Sequence, residues 1–136
     1  MTSSSLISLE EWPLVIVTFL KSTTDEEYDR YIREIEQIRR RREPWAYILD
    51  AQNTAPMTSR HRKAYTESAR RDADLIRQHL RCAAFVFANP IARACLTAVQ
   101  WLAPPPYPWK VVATMREARA WVDRMWPPEA RSPGAR

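Results

Sequence analysis

Glycine is almost missing: Gly134 is the single one in 136 residues. A P-loop or a dinucleotide-binding fingerprint needs several glycines, because backbone amides must approach phosphate closely. Both phosphate-binding folds are therefore excluded. Long hydrophobic runs are missing too, with no apolar stretch near the ~18 residues that a membrane helix requires. Met1 to Ser5 is polar and lacks the basic start and apolar stretch of a signal peptide, so a cytoplasmic location is expected. Cysteine is scarce. Cys82 and Cys95 each lie in an apolar segment, with no CxxC and no histidine at ligand spacing, and both are expected to be buried, reduced thiols. His61 and His79 have no Ser, Cys or carboxylate at catalytic or metal-ligand spacing, which points to exposed helix positions. No nucleophile, base and orienting group assemble. No catalytic residue, metal or cofactor is expected, and the chain does not read as an enzyme.

What is present fits one domain. The length suits a single core, and 46% hydrophobic with 27% charged residues is ordinary for a globular chain. Six Trp and three Phe allow a core dense in large side chains. The net charge of +5 permits binding to nucleic acid or anionic lipid without showing either.

Hydrophobic patterning orders the chain. Leu6 to Leu9 and Leu14 to Phe19 read as two extended segments, plausibly an antiparallel pair, and Leu14 to Val17 is apolar throughout, as in a strand buried on both faces. Thr24 with Glu27 forms a capping box for a helix whose stripe is Tyr28, Tyr31, Ile32, Ile35 and Ile38. It runs out through Arg39 to Arg42, a cationic end that suits the helix dipole, before Pro44. Trp45 to Leu49 is a strand closed by Asp50, followed by a loop over Ala51 to Met57. Thr58 or Ser59 caps a second helix to about Leu80, buried through Tyr65, Ala69, Ala73, Ile76 and Leu80. Cys82 to Ala88 is an apolar strand. Asn89 and Pro90 open a third helix expected to turn Ile91, Cys95, Ala98 and Leu102 inward. Ala103 to Pro108 is a stiff connector. Trp109 to Ala113 is the last strand, and Thr114 with Glu117 caps a last helix that buries Ala118, Trp121, Val122 and Met125. Residues 1–5 and 127–136 read as disordered ends around a domain over 6–126. The predicted fold class is α/β, ordered β-β-α-β-α-β-α-β-α, with a mixed, mostly parallel sheet.

This order, with "WPLVIVTF", "PWAYILDA", "SRHR", "CAAFVFANPIAR" and "ARAWVDR", resembles the SpoIIAA-like branch of the STAS superfamily, relatives of bacterial anti-sigma-factor antagonists. The resemblance spans about Leu6 to Met125. It implies a regulatory protein-interaction module, and it implies phosphorylation near the start of the second helix, where Thr58 and Ser59 stand. The family's short Asp-Leu-Ser-x-x-x-x-Asp-Ser-Ser-Gly pattern is replaced here by a longer loop without glycine.

Three surfaces could carry function. Ligand sites in open α/β sheets lie beyond the carboxyl ends of the strands, where Asp50, Ser59, Arg60, Arg62 and Arg93 gather as a candidate partner or anion site. There Ser59 reads as an N-cap and Arg62, placed near the middle of the apolar stripe, as a structural ion pair with Asp50; the other reading is an anion site. A basic helix face carries Lys63, Arg70, Arg71 and Arg77, with Arg81 beyond, either as a solvated face or as a surface for an acidic protein, lipid headgroups or nucleic acid. The Pro-rich connector brings Trp101, Tyr107 and Trp109, either packed under the loop or exposed as a patch for a partner or homodimer. A protein partner leads. A small-molecule or lipid pocket between sheet and helices is the alternative, and nucleic acid is third.

Overall fold

Capping explains where the helices begin. In the computed structural model, which describes residues 6–19, 21–52 and 58–131, Thr24 and Thr114 each accept from the amide three residues on, while Glu27 and Glu117 reach back to the cap. Both capping boxes form. The elements are β1 (Ile7–Ser8), β2 (Leu14–Thr18), α1 (Asp25–Arg39), β3 (Trp45–Asp50), α2 (Ser59–Arg71), α3 (Ala73–His79), β4 (Leu80–Val86), α4 (Pro90–Leu102), β5 (Trp109–Val112), α5 (Met115–Met125) and α6 (Pro128–Arg131). The expectations for residues 1–5 and for 132–136 lie outside the described residues, as does most of the loop before α2.

The five strands form one sheet in the order β1-β2-β3-β4-β5, antiparallel at β1–β2 and parallel elsewhere. The α/β class and the element order agree with the sequence. Each crossover from β2 to β5 steps the same way across the sheet, so right-handedness delivers α1, α2, α3 and α4 to one face. That face carries Val15, Val17, Trp45, Tyr47, Ala83 and Phe85. The opposite face carries Leu14, Ala46, Ile48, Cys82, Ala84, Val86 and Val112, and α5 covers it with Ala118 and Val122. One helix suffices there because those strand residues are mostly small.

Several local expectations are corrected. The second helix breaks at Asp72, which ends α2 and precedes α3 without capping it; its carboxylate goes to Arg39 and Arg40 instead. Leu80 belongs to β4, paired with Trp45. Pro128–Arg131 form a helical turn, held by Arg131 bonded to Asp123 and to the Trp126 carbonyl, where a disordered tail was expected. Met125 is exposed, and so is Cys95. α4 is turned the other way: Ile91 is 72% exposed and Leu102 87%, and no residue of the helix is buried. The cause is Arg93, whose Nη1 donates to the carbonyls of Phe87 and Ala88 at 2.7 and 2.9 Å. Leu96 and Gln100 share its face at helical spacing, so anchoring Arg93 brings them inward.

The shortage of glycine shows at the end of α1. Arg42 has φ 56°, the left-handed region that costs a residue with a Cβ about 1–2 kcal/mol. Arg42→Gly should raise stability by about 1 kcal/mol in urea denaturation; unchanged or lower stability would refute that strain. On the same assay Ile48→Ala should cost about 2–5 kcal/mol and Leu102→Ala less than about 0.5 kcal/mol. A core-sized loss at Leu102 would contradict the orientation of α4.

Candidate functional site

Between α1–α3 and α4 the helical layer does not close over the sheet. A cleft runs along the strands there in two lobes. The lobe at the carboxyl ends has a volume of about 230 Å³ and is lined by Phe19, Tyr28, Leu49, Phe85, Phe87 and Leu96, among others. The lobe at the amino ends, of about 370 Å³, is lined by Arg39, Trp45, Ile76, Leu80, Pro105 and Pro106, among others. Tyr47, Tyr65, Gln100 and Tyr107 line both. The two-residue period of β3 puts Trp45, Tyr47 and Leu49 on this face together.

Tyrosines dominate the lining. The Tyr47 and Tyr65 hydroxyls lie 3.4 Å apart, and the Trp45 ring stacks on Tyr47. Burial pushes the hydroxyls of Tyr28, Tyr31, Tyr47 and Tyr107 well above the ordinary tyrosine value. They remain neutral hydrogen-bonding groups set in apolar surfaces, the composition of a small-molecule site.

The floor of the larger lobe rests on a buried ionic network. Arg39, 2% exposed, donates to Ser68 Oγ at 2.9 Å and to Asp72 Oδ2 at 3.1 Å. Ser68 donates to Glu36 Oε2 at 2.7 Å, and Arg71 donates to the same oxygen at 3.0 Å. Burial raises the Glu36 pKa, but the hydrogen bonds from Ser68 and Arg71 and the charges of Arg71 and Arg40 outweigh it and hold the group below its ordinary value. The four-arginine run marked a cationic helix end, and nothing in its pattern singled out Arg39 to turn inward.

The residues proposed from sequence do not assemble. Asp50 Oδ1 accepts from the amide and side chain of Gln52, and exposed Arg62 donates to Ser59 Oγ at 3.1 Å; no Asp50–Arg62 ion pair forms among the described residues. Thr58, not Ser59, is the N-cap, accepting from the His61 amide. Arg60 pairs with Asp25 and Asp29 on α1, and Arg93 is spent on strand-end carbonyls. The basic face is partly neutralised, Arg71 by Glu36 and Arg77 by Asp74, while Lys63 and Arg70 are exposed. His61 is buried rather than exposed: its ring stacks on Tyr28 at 4.3 Å and its Nε2 lies 2.9 Å from Asp25 Oδ1. The inward positions of α2 run His61, Tyr65, Ser68, one step from the stripe that would have held Arg62. Tyr107 packs under the connector into the cleft, and Trp101 is 73% exposed with an edge-to-face contact to half-buried Trp109. Among the described residues no group of three His, Cys, Asp or Glu could hold a metal ion, and no helix is long and apolar enough to cross a membrane.

The crystal structure of an uncharacterized protein from the DUF3478 family, from Shewanella loihica PV-4, matches this chain with a TM-score of 0.64. The identity is 12%, and the match covers 79% of this chain and 82% of that one. That protein is described as having a SpoIIAA-like fold. This chain has the same fold. At so low an identity the likeness is one of architecture. No family model matches the sequence, and no curated protein is similar to it. In this SpoIIAA-like domain the cleft lies on the face that carries four helices, beneath α4.

Glu36 supplies a test of the network under the cleft. Its folded pKa lies below the ordinary 4.5, so its stabilisation is present above that value and is lost as pH falls through the folded pKa. The stability difference between wild type and Glu36→Gln in urea denaturation should narrow from about pH 6 to about pH 3. A constant difference would show that the carboxylate charge is not what holds Ser68 and Arg71.

Proposed function

We propose that this SpoIIAA-like domain is a non-enzymatic binding module that holds a small, largely apolar molecule in the tyrosine-lined cleft. The observation that carries the reading is the pair of lobes of about 370 and 230 Å³ sharing four lining residues, a size within the range of small-molecule sites. α4 forms one wall through Leu96 and Gln100 and buries no residue of its own. A helix held by so little apolar contact can shift to admit a ligand.

The test uses Gln100, which lines both lobes. Nile red, a neutral apolar dye, should bind the wild-type protein with a rise in fluorescence. Gln100→Trp, with an unchanged circular dichroism spectrum, should weaken that binding by roughly tenfold or more, because the indole fills the space where the lobes meet. Equal dye binding by the folded variant would defeat the reading.

A second reading is supported by the outer face of α4, where Ile91, Val99, Trp101 and Leu102 are exposed together. Apolar patches of this kind mark protein contacts, and the regulatory module implied by the family resemblance would use this helix. Thr58 and Ser59 are exposed at the start of α2, where a phosphate would meet free amides and the positive end of the helix dipole. Nucleic-acid binding has less support, since part of the basic face is already paired with carboxylates.

A further inference from the structure

Two buried side-chain N–H groups, Arg39 Nε and Trp45 Nε1, have no hydrogen-bond partner among the described residues. Both residues line the same lobe of the cleft, at the amino ends of the strands. A buried donor left unmatched forfeits its hydrogen bond to water without compensation, and such groups are rare enough to require an explanation. Two of them in one cavity have a common one.

Guanidinium and indole nitrogens donate and never accept. Whatever satisfies them must present acceptor atoms, which excludes an ammonium or another pure donor. Arg39 Nη1 already serves Ser68 and Asp72, and Nε is left without a partner among the described residues. Charge narrows the choice further. Arg39 is a cation, and an anionic acceptor makes the shorter and stronger, charge-assisted hydrogen bond to it. The other lobe, walled by Phe19, Phe85, Phe87 and Leu96, offers mainly apolar and tyrosine surface, with the amide of Gln100 where the lobes meet.

We infer that the cleft binds an amphipathic monocarboxylate. Its carboxylate accepts from Arg39 Nε and Trp45 Nε1 at the amino ends of the strands, and its apolar body lies across Tyr47 into the aromatic lobe. This places the polar end of the ligand opposite the strand ends where open α/β sheets usually bind. The inference rests on the cleft being a ligand site, and its test is separable from that of the site.

Three probes of equal chain length, decanoate, decanol and decylammonium, compete with Nile red in the wild-type protein. Decanoate should displace the dye best, decanol by roughly tenfold less, and decylammonium least, because it opposes Arg39 with a like charge. Trp45→Phe removes one donor and keeps an aromatic ring. It should weaken decanoate by roughly tenfold while leaving Nile red within about twofold. Substitution of Arg39 would disturb the packing of α1 on α2, so a second measurement uses the intact chain. In protein labelled with ¹⁵N at the indoles, the Trp45 Nε1–H resonance should move on addition of decanoate and stay in place with decylammonium. Equal affinity for the three probes, or an unmoved Trp45 resonance with bound decanoate, would mean that water alone serves these donors and would overturn the head-group assignment. Failure of Nile red and of every decyl probe to bind would instead remove the cleft as a ligand site.

Discussion

Arg39 stands where the parts of this protein meet. It closes α1, its guanidinium reaches Ser68 on α2 and Asp72 at the break before α3, and its side chain lines the larger lobe of the cleft. Removing one partner of a buried ion pair costs about 3–5 kcal/mol, because the other charge is left stranded. That penalty ties the α1–α2–α3 layer together and explains why the helix between β3 and β4 breaks. Asp72 turns its carboxylate toward α1 instead of capping α3, and Leu80 is then free to enter β4 beside Trp45.

The same layer creates the cleft. Four successive elements fall on one face because every crossover steps in one direction with one hand. α1 and α2 are joined by the ionic network, while α4 is held by Arg93 on the carbonyls of Phe87 and Ala88. The sheet between them is floored by Tyr47 and Phe85, edge to face with ring centres 5.9 Å apart. Large aromatic side chains standing up from the strands keep α4 from settling onto the sheet, and the space left over is polar at one end and apolar at the other. On the opposite face the small residues Ala46, Cys82 and Ala84 let α5 pack closely, and burial there pushes the Cys82 thiol up to about 11. That thiol is correspondingly inert.

The elements themselves were legible because their signals are local. Capping boxes at Thr24 and Thr114, the Asn89-Pro90 start and the apolar runs of β2, β3 and β4 depend on neighbours within a few residues, and each formed where its pattern stood. The SpoIIAA-like order followed from them. Signals that depend on how an element is anchored misled. The stripe Ile91, Cys95, Ala98 and Leu102 has helical spacing, but the direction in which a stripe points is set by what anchors the helix, and Arg93 turned it to solvent. His61 and Arg62 differ by one position, and packing against Tyr28 selected the histidine for burial.

An α/β domain with one main parallel sheet, without a glycine-rich phosphate loop and without a cysteine or histidine motif for metal, can be read directly from the chain. Those features reside in composition and in short-range periodicity. Which of four consecutive arginines is buried, which face of α4 looks outward, and that a cleft opens with two donors unmatched among the described residues emerge only once the chain is folded. Each of these is a choice between nearly equivalent local arrangements, settled by contacts outside the element itself, as Arg39 with Asp72 and Arg93 with the carbonyls of Phe87 and Ala88 show.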